Sequence, residues 1–62
     1  MVPERVNILL VEDDGTGRET LAELLEHDGA YRVTRAEDGA SGIELLHGTQ
    51  SFDVVITDIK MR

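Results

Sequence analysis

The stretch VNILLVEDD, at residues 6–14, decides how this sequence is expected to fold. Its aliphatic run is continuous from Ile8 to Val11 and rich in β-branched residues, which is typical of a strand covered on both faces. The run stops at three consecutive acidic residues. A buried strand that ends in carboxylates is therefore the starting point both for the fold and for a candidate site.

The first helix is predicted from Arg18 to about His27, after a flexible turn that contains Gly15 and Gly17. Its leucines recur at helical spacing with glutamates between them, and we expect this stripe to be core. The stripe is formed by Leu21, Leu24 and Leu25. Gly29 follows where a left-handed cap is favoured, so the helix is predicted to end just before it.

The rest of the sequence adds a strand, a helix and a strand. Alternating side chains predict an edge strand over residues 31–36. A second apolar stripe predicts a helix from residue 38 or 39 to about residue 48, although Gly42 weakens it. The apolar run over residues 52–56 predicts the third strand. Alternating strands and helices with short connections imply parallel strands and right-handed crossovers, hence an α/β fold with a three-stranded sheet.

Composition restricts the class of partner. Thirteen acidic and six basic residues among 62 give a net charge of −7, which disfavours direct binding to nucleic acid or to an anionic membrane. There is no cysteine, no apolar run approaches the roughly 18 residues of a membrane span, and the first residues do not resemble a signal peptide. We therefore expect a soluble, cytoplasmic protein, for which metal cations and basic protein patches remain open as partners.

Carboxylates follow two of the predicted strands. Glu12 and Asp13 follow the first strand, and Asp58 follows the third. If these strands are neighbours, the side chains lie together, and their repulsion costs about 4 kcal/mol per close pair at an effective dielectric of about 20. A divalent ion such as Mg²⁺ relieves that repulsion and commonly binds a phosphoryl oxygen as well. Isolated acidic residues at such positions are more often turn residues, helix caps or solvated side chains than ligands. For Asp14 the stronger expectation is that it simply starts the loop.

Three stretches together resemble the receiver domain of bacterial two-component response regulators. Residues 8–14, ILLVEDD, look like its first strand and acidic pocket; residues 36–46 are similar to the start of its second helix; and residues 52–61, FDVVITDIKM, resemble its third strand and phosphoacceptor signature. The resemblance implies a parallel three-stranded sheet of order 2-1-3 with two helices. This is the first half of a flavodoxin-like (CheY-like) receiver fold, with residues 1–62 forming a partial receiver domain.

The resemblance also implies roles for individual residues. Asp58 would accept a phosphoryl group from the phosphohistidine of a sensor histidine kinase or a phosphotransfer protein, giving an aspartyl phosphate. Asp13 and Asp58 would bind Mg²⁺ directly, Glu12 would act through water, and the backbone carbonyl of Lys60 would complete the protein ligands. The chain would then be a regulatory phosphoacceptor and not an enzyme.

The sequence departs from the family pattern, which leaves a second reading open. The family's hydroxyl residue at the end of strand four and its lysine at the end of strand five have no counterpart in the 62 residues, and Arg62 stands where proline is usual. The alternative is a non-switching interaction or dimerisation module without efficient phosphotransfer. The third strand would be an exposed edge, and each sheet face would lack a helix of the family, which would leave leucines of the first helix part exposed. The isolated chain is then expected either to pair with another copy through this edge or to be only marginally folded.

Two further readings use the same residues differently. A nucleotide-binding half-domain is suggested by residues 15–17, GTG, after a strand, and by Glu37 and Asp38 after the second strand. The acidic residues before that loop would repel a pyrophosphate. A metal-dependent phosphatase would use Asp58 as nucleophile, but such sites usually have a second aspartate where this sequence has Lys60.

Other polar residues are expected to have structural roles. His27 and His47 each close a predicted helix, where an imidazole is favourable towards the helix dipole. Arg32 and Arg35 are expected to be solvated.

Overall fold

The computed structural model describes residues 5–57 and has the predicted order of elements. The elements are β1 (Val6–Val11), α1 (Gly15–Glu26), β2 (Tyr31–Ala36), α2 (Gly39–Leu46) and β3 (Val54–Thr57). The strands form one sheet of order β2-β1-β3, and both pairings are parallel. The α/β prediction with strand order 2-1-3 is therefore confirmed. No helix in the described part of the chain is long and apolar enough to cross a membrane.

β1 is the central strand and the most deeply buried element. Its middle residues Ile8, Leu9 and Leu10 are at most 3% exposed. Because successive strand residues point to opposite faces of the sheet, each face needs its own cover. On one face, Ile8 and Leu10 form a core cluster with Ala22 of α1 and Val33 of β2. The continuous apolar run is thus buried as predicted.

α2 covers the other face of β1 at close range. A Cβ atom built on Gly42 would lie 2.9 Å from Cγ2 of Val11, closer than real Cβ atoms approach. Gly42 is itself buried. The glycine that lowers the helix propensity of α2 is therefore also the residue that lets the helix lie against β1.

α1 begins three residues earlier than predicted. The side chain of Asp14 accepts a hydrogen bond from the backbone N–H of Gly17 at 2.7 Å, and its backbone carbonyl accepts one from the N–H of Arg18 at 2.8 Å. Gly15 and Gly17 therefore lie in the first turn of the helix and not in a flexible turn. The prediction was wrong because an aspartate N-cap offsets the low helix propensity of the two glycines.

The C-terminal ends of the helices agree with the sequence. His27 and His47 are the C-cap residues of α1 and α2. Gly29 adopts a φ of 81°, the left-handed conformation that favours glycine after a helix.

The leucine stripe of α1 is only partly in the core. Leu21 and Leu25 pack against the core cluster, but Leu24 is 70% exposed. The fully buried residue of α1 is Ala22, and at 3.6 residues per turn Leu24 lies about 200° away from it around the helix axis. The stripe is thus core at Leu21 and Leu25 and exposed at Leu24, in line with the expectation that leucines of the first helix are part exposed.

β3 is shorter than predicted, and it is exposed as expected of an edge strand. It begins at Val54 and not at Phe52. Before it, Asp53 contacts Asn7 twice: its backbone N–H donates to the Asn7 carbonyl at 2.7 Å, and its carboxylate accepts from the Asn7 N–H at 2.8 Å. Among the described strands β3 pairs with β1 alone, and Val54 and Val55 are 43% and 46% exposed. The expected edge position of the third strand is confirmed for this part of the chain.

Candidate functional site

The carboxyl ends of β1 and β3 lie side by side. The parallel register pairs Val11 with Thr57, the last residue of each strand. Glu12 and Asp13 follow Val11, and Asp58 is the next residue after Thr57 in the sequence. The neighbour relation between strands one and three, on which the acidic site depends, is confirmed up to these last paired residues.

The peptide of Glu12 is held from two sides. Its N–H donates to the carbonyl of Ala36 in β2 at 3.1 Å, and its carbonyl accepts from Nη1 of Arg18 in α1 at 2.8 Å. The Glu12 carboxylate also accepts from the backbone N–H of Asp14 at 3.1 Å. The loop between β1 and α1 is therefore fixed by contacts to β2, to α1 and within itself.

The sequence analysis missed Arg18. The sequence did carry a signal for it: a basic residue lies one turn into a helix that follows an acidic loop. Such a side chain can reach the loop, because helical side chains lean towards the N-terminus of their helix. The signal does not say whether such an arginine binds a carboxylate, a carbonyl or water. In the structure it binds a carbonyl.

The donor chemistry of the loop fits a hard divalent cation. Glu12 and Asp13 supply carboxylate oxygens, and Mg²⁺ usually binds one or two carboxylates together with several waters. Asp13 is exposed, so an ion can reach it from solvent. Within residues 5–57, no three side chains of His, Cys, Asp or Glu lie close enough together to hold a metal ion. The further predicted ligands, Asp58 and the carbonyl of Lys60, lie outside the described residues, as does Arg62.

The two other acidic residues of interest are helix caps. Asp14 caps α1, and a Cβ on Gly17 would lie only 2.9 Å from its carboxylate oxygen. Asp38 caps α2 by accepting from the N–H of Ser41 at 2.7 Å, and this hydrogen bond lowers the pKa of the Asp38 carboxyl below its usual value. Asp14, which was expected simply to start the loop, is the N-cap of α1.

These caps also weigh against nucleotide binding. That reading needs the N-terminus of α1 for a pyrophosphate, but the Asp14 carboxylate already accepts from Gly17 there. It also needs an acid after β2 for a ribose, but Asp38 is engaged in capping α2. The geometry of the described residues therefore does not support a nucleotide site.

Arg35 is ion-paired and not simply solvated as predicted. Its guanidinium donates to Glu26 at 2.8 Å and to Glu19 at 3.1 Å, both on α1. The hydrogen bond to Glu26, together with the charges of both glutamates, raises the pKa of Arg35 above its usual value, against the opposing effect of desolvation. These pairs join the edge strand β2 to α1. The prediction missed them because they depend on which side of α1 meets the sheet.

Comparisons with known proteins agree with this architecture. The family model described as the response regulator receiver domain matches residues 8–62. The transcriptional regulatory protein PdtaR, from two strains of Mycobacterium tuberculosis, is 42% identical over 60 residues, which are 97% of this chain and 28% of that protein. The probable chemotaxis protein CheY of Rhizobium etli is 32% identical over 60 residues, 97% of this chain and 46% of that protein. No solved structure matched the chain.

The parallel sheet of order β2-β1-β3, with an acidic loop after its central strand, is consistent with the first part of a receiver fold. The chain belongs to the response regulator receiver family, whose members act in two-component signalling. It spans less than half the length of the curated relatives that it matches.

Proposed function

We propose that this chain is a phosphoacceptor of two-component signalling, in which Asp58 receives a phosphoryl group from a sensor histidine kinase or a phosphotransfer protein. The observation that carries the proposal is the pairing of Val11 with Thr57 at the ends of two parallel strands, directly before acidic residues in the sequence. Membership of the receiver family supports a regulatory role. A cytoplasmic location stays a prediction.

The proposed chemistry is a displacement at phosphorus. A carboxylate oxygen of Asp58 would attack the phosphorus while the bond from phosphorus to the donor histidine nitrogen breaks, and the imidazole would leave with that electron pair. Such transfers depend on alignment and charge neutralisation more than on acid or base catalysis. Glu12 and Asp13 would repel an incoming phosphoryl group, so the proposed site needs a cation.

The residues proposed to hold Mg²⁺ are those of the acidic loop and of the segment after β3. Asp13 and Asp58 would bind the ion directly, Glu12 through water, and Lys60 through its backbone carbonyl. The bound ion would supply positive charge to the carboxylates and to the phosphoryl oxygens. Support comes from the oxygen donors of the loop and from the exposure of Asp13. The contacts that hold the Glu12 peptide would keep these donors in place before an ion arrives.

Intact-mass spectrometry tests the acceptor directly. The chain is incubated with acetyl phosphate in the presence of Mg²⁺ or of a chelator. We expect the mass of one phosphoryl group to be gained with Mg²⁺ and not with chelator, and to disappear in Asp58→Ala. Asp28→Asn, in the turn before β2, is the matched control and should still be phosphorylated. Absence of any gain, or a gain that survives in Asp58→Ala, would contradict the proposal.

The exposed edge of β3 favours a second candidate function, association between copies of the chain. Val54 and Val55 are nearly half exposed, and β3 pairs on one side only among the described strands. Exposed edge strands pair readily with other chains. Sedimentation velocity at micromolar concentration should show a dimer that Val55→Lys dissociates. A monomer that unfolds cooperatively would contradict it.

A further inference from the structure

Arg18 turns back from α1 over the acidic loop. It is the fourth residue of the helix, and its Nη1 lies 2.8 Å from the carbonyl oxygen of Glu12. Its Nη2 lies 3.6 Å from the position that a Cβ on Gly15 would occupy, so the guanidinium crosses the first turn of the helix. Only 20% of its side chain is exposed. The guanidinium is thus held within the fold and not extended into solvent.

The main partner of Arg18 is a backbone carbonyl and not a carboxylate. Its Nε lies 4.0 Å from Glu19, at the limit of an ion pair, and Glu19 is closer to Arg35 at 3.1 Å. Hydrogen bonds from a charged donor are stronger and shorter than those between neutral groups. Together with the bond from the Glu12 N–H to Ala36, the Arg18 bond fixes the orientation of the Glu12 peptide.

We propose that Arg18 is a positioning residue for the acidic pair: by holding the Glu12 carbonyl, it fixes the backbone from which the Glu12 and Asp13 carboxylates project and so strengthens binding of a divalent cation. The identity of that cation as Mg²⁺ rests on the proposed function.

The direction in which cation affinity changes when Arg18 is removed distinguishes this positioning role from a simple charge effect. As a positive charge beside carboxylates, Arg18 repels a cation, so its removal would tighten binding. As a positioning residue it aids the ligands, so its removal would weaken binding, as the loss of groups that orient metal ligands does.

The first experiment needs no metal. Backbone ¹⁵N relaxation is measured on the whole 62-residue chain, on Arg18→Met, on Arg18→Lys and on the control Arg32→Met. We expect order parameters at residues 12–14 to fall in Arg18→Met, to fall less in Arg18→Lys, which keeps a charged donor, and to be unchanged in Arg32→Met. Arg32 is exposed and lies at the opposite end of the sheet from the loop, paired with Asn7. Unchanged order parameters in Arg18→Met would overturn the positioning role.

The second experiment is a calorimetric titration of the same variants with magnesium chloride alone. We expect Arg18→Met to bind about tenfold more weakly, Arg18→Lys to lie between it and the wild type, and Arg32→Met to match the wild type. Equal or tighter binding by Arg18→Met would overturn the proposal.

A third variant, Asp13→Asn, separates the two proposals. If the wild-type chain binds Mg²⁺ no better than Asp13→Asn, the proposed metal site fails. The relaxation data then still decide whether Arg18 orders the loop.

Discussion

β1 and β3 are both uninterrupted aliphatic stretches in the sequence, yet they differ sharply in burial. Leu9 and Leu10 of β1 are at most 1% exposed, whereas Val54 and Val55 of β3 are 43% and 46% exposed. β1 has a strand on each side and a helix against each face. β3 has one strand neighbour among the described elements, and Ile56 is its residue that packs against the core cluster.

The difference shows what an apolar run predicts and what it does not. Such a run predicts a strand suited to burial, but burial itself depends on the elements that cover the strand. In this chain both helices pack on β1 and β2. The stability of residues 5–57 should therefore reside mainly around β1, with β3 contributing little.

The largest effect is expected from truncating the two strands at comparable positions. Leu9→Ala, at the position that pairs with Val55, should lower the free energy of unfolding by about 3 kcal/mol, because a fully buried side chain is replaced by a cavity. Val55→Ala should cost about 0.5 kcal/mol, since its side chain is nearly half exposed. Urea unfolding followed by far-UV circular dichroism measures both. Equal losses would show that β3 is covered as well as β1.

The next effect tests the close approach of α2 to β1. Gly42→Ala should destabilise the chain by about 1–3 kcal/mol, because the new Cβ overlaps Val11, even though alanine favours the helix. Gly39→Ala is the matched control, because a Cβ there meets nothing within 4 Å and should leave stability nearly unchanged. Adding Val11→Ala should recover part of the loss in thermal unfolding. Stabilisation by Gly42→Ala would mean that α2 does not lie against β1.

A smaller effect is expected at the other edge of the sheet, where Arg35 joins β2 to α1. Arg35→Met should lose about 0.5–1 kcal/mol, since its ion pairs with Glu19 and Glu26 are partly exposed. The loss should shrink in high salt, because exposed charges are screened. The exposed Arg32→Met serves as control in the same urea titrations, and equal losses in the two variants would argue against a role for these pairs.

The smallest effect is the pH dependence contributed by the cap of α2. Hydrogen bonding from Ser41 lowers the pKa of Asp38, so its stabilising contribution is present above the ordinary aspartate pKa and is lost as the pH falls through the lowered value. Asp38→Ser keeps a capping oxygen that does not titrate. As the pH falls from about 5 through the lowered pKa of Asp38, the unfolding free energy of Asp38→Ser should therefore fall less than that of the wild type. If the unfolding free energies of the two proteins changed with pH in parallel, titration of the Asp38 cap would not contribute to stability.

Much of the fold was predictable because it is encoded locally. The bounds of β2 and the left-handed Gly29 follow from short patterns. The edge position of β3 follows from the strand order that the family resemblance implies. The acidic residues at the end of β1 were also identified from their position after a buried strand.

What the sequence did not predict depends on contacts between distant segments. The start of β3 is set by Asp53, which binds Asn7 46 residues away. Which leucine of α1 is exposed depends on the rotation of the helix about its own axis. That rotation is known only from the packing, in which the small Ala22 is the fully buried residue of the helix. The hydrogen bond from Arg18 to the Glu12 carbonyl forms only because α1 begins early and its first turn directs Arg18 towards the loop.

The central claim is that acidic residues after β1 and after β3 share one divalent cation, and Mn²⁺ titration followed by NMR tests it most directly. Mn²⁺ occupies oxygen-ligand sites suited to Mg²⁺, and its unpaired electrons broaden the signals of nearby residues. The account predicts that the amide signals of Glu12, Asp13 and Asp58 disappear together at a small fraction of an equivalent, that Asp28 is unaffected, and that excess Mg²⁺ restores all three. Loss of the Glu12 and Asp13 signals while the Asp58 signal stays sharp would contradict it.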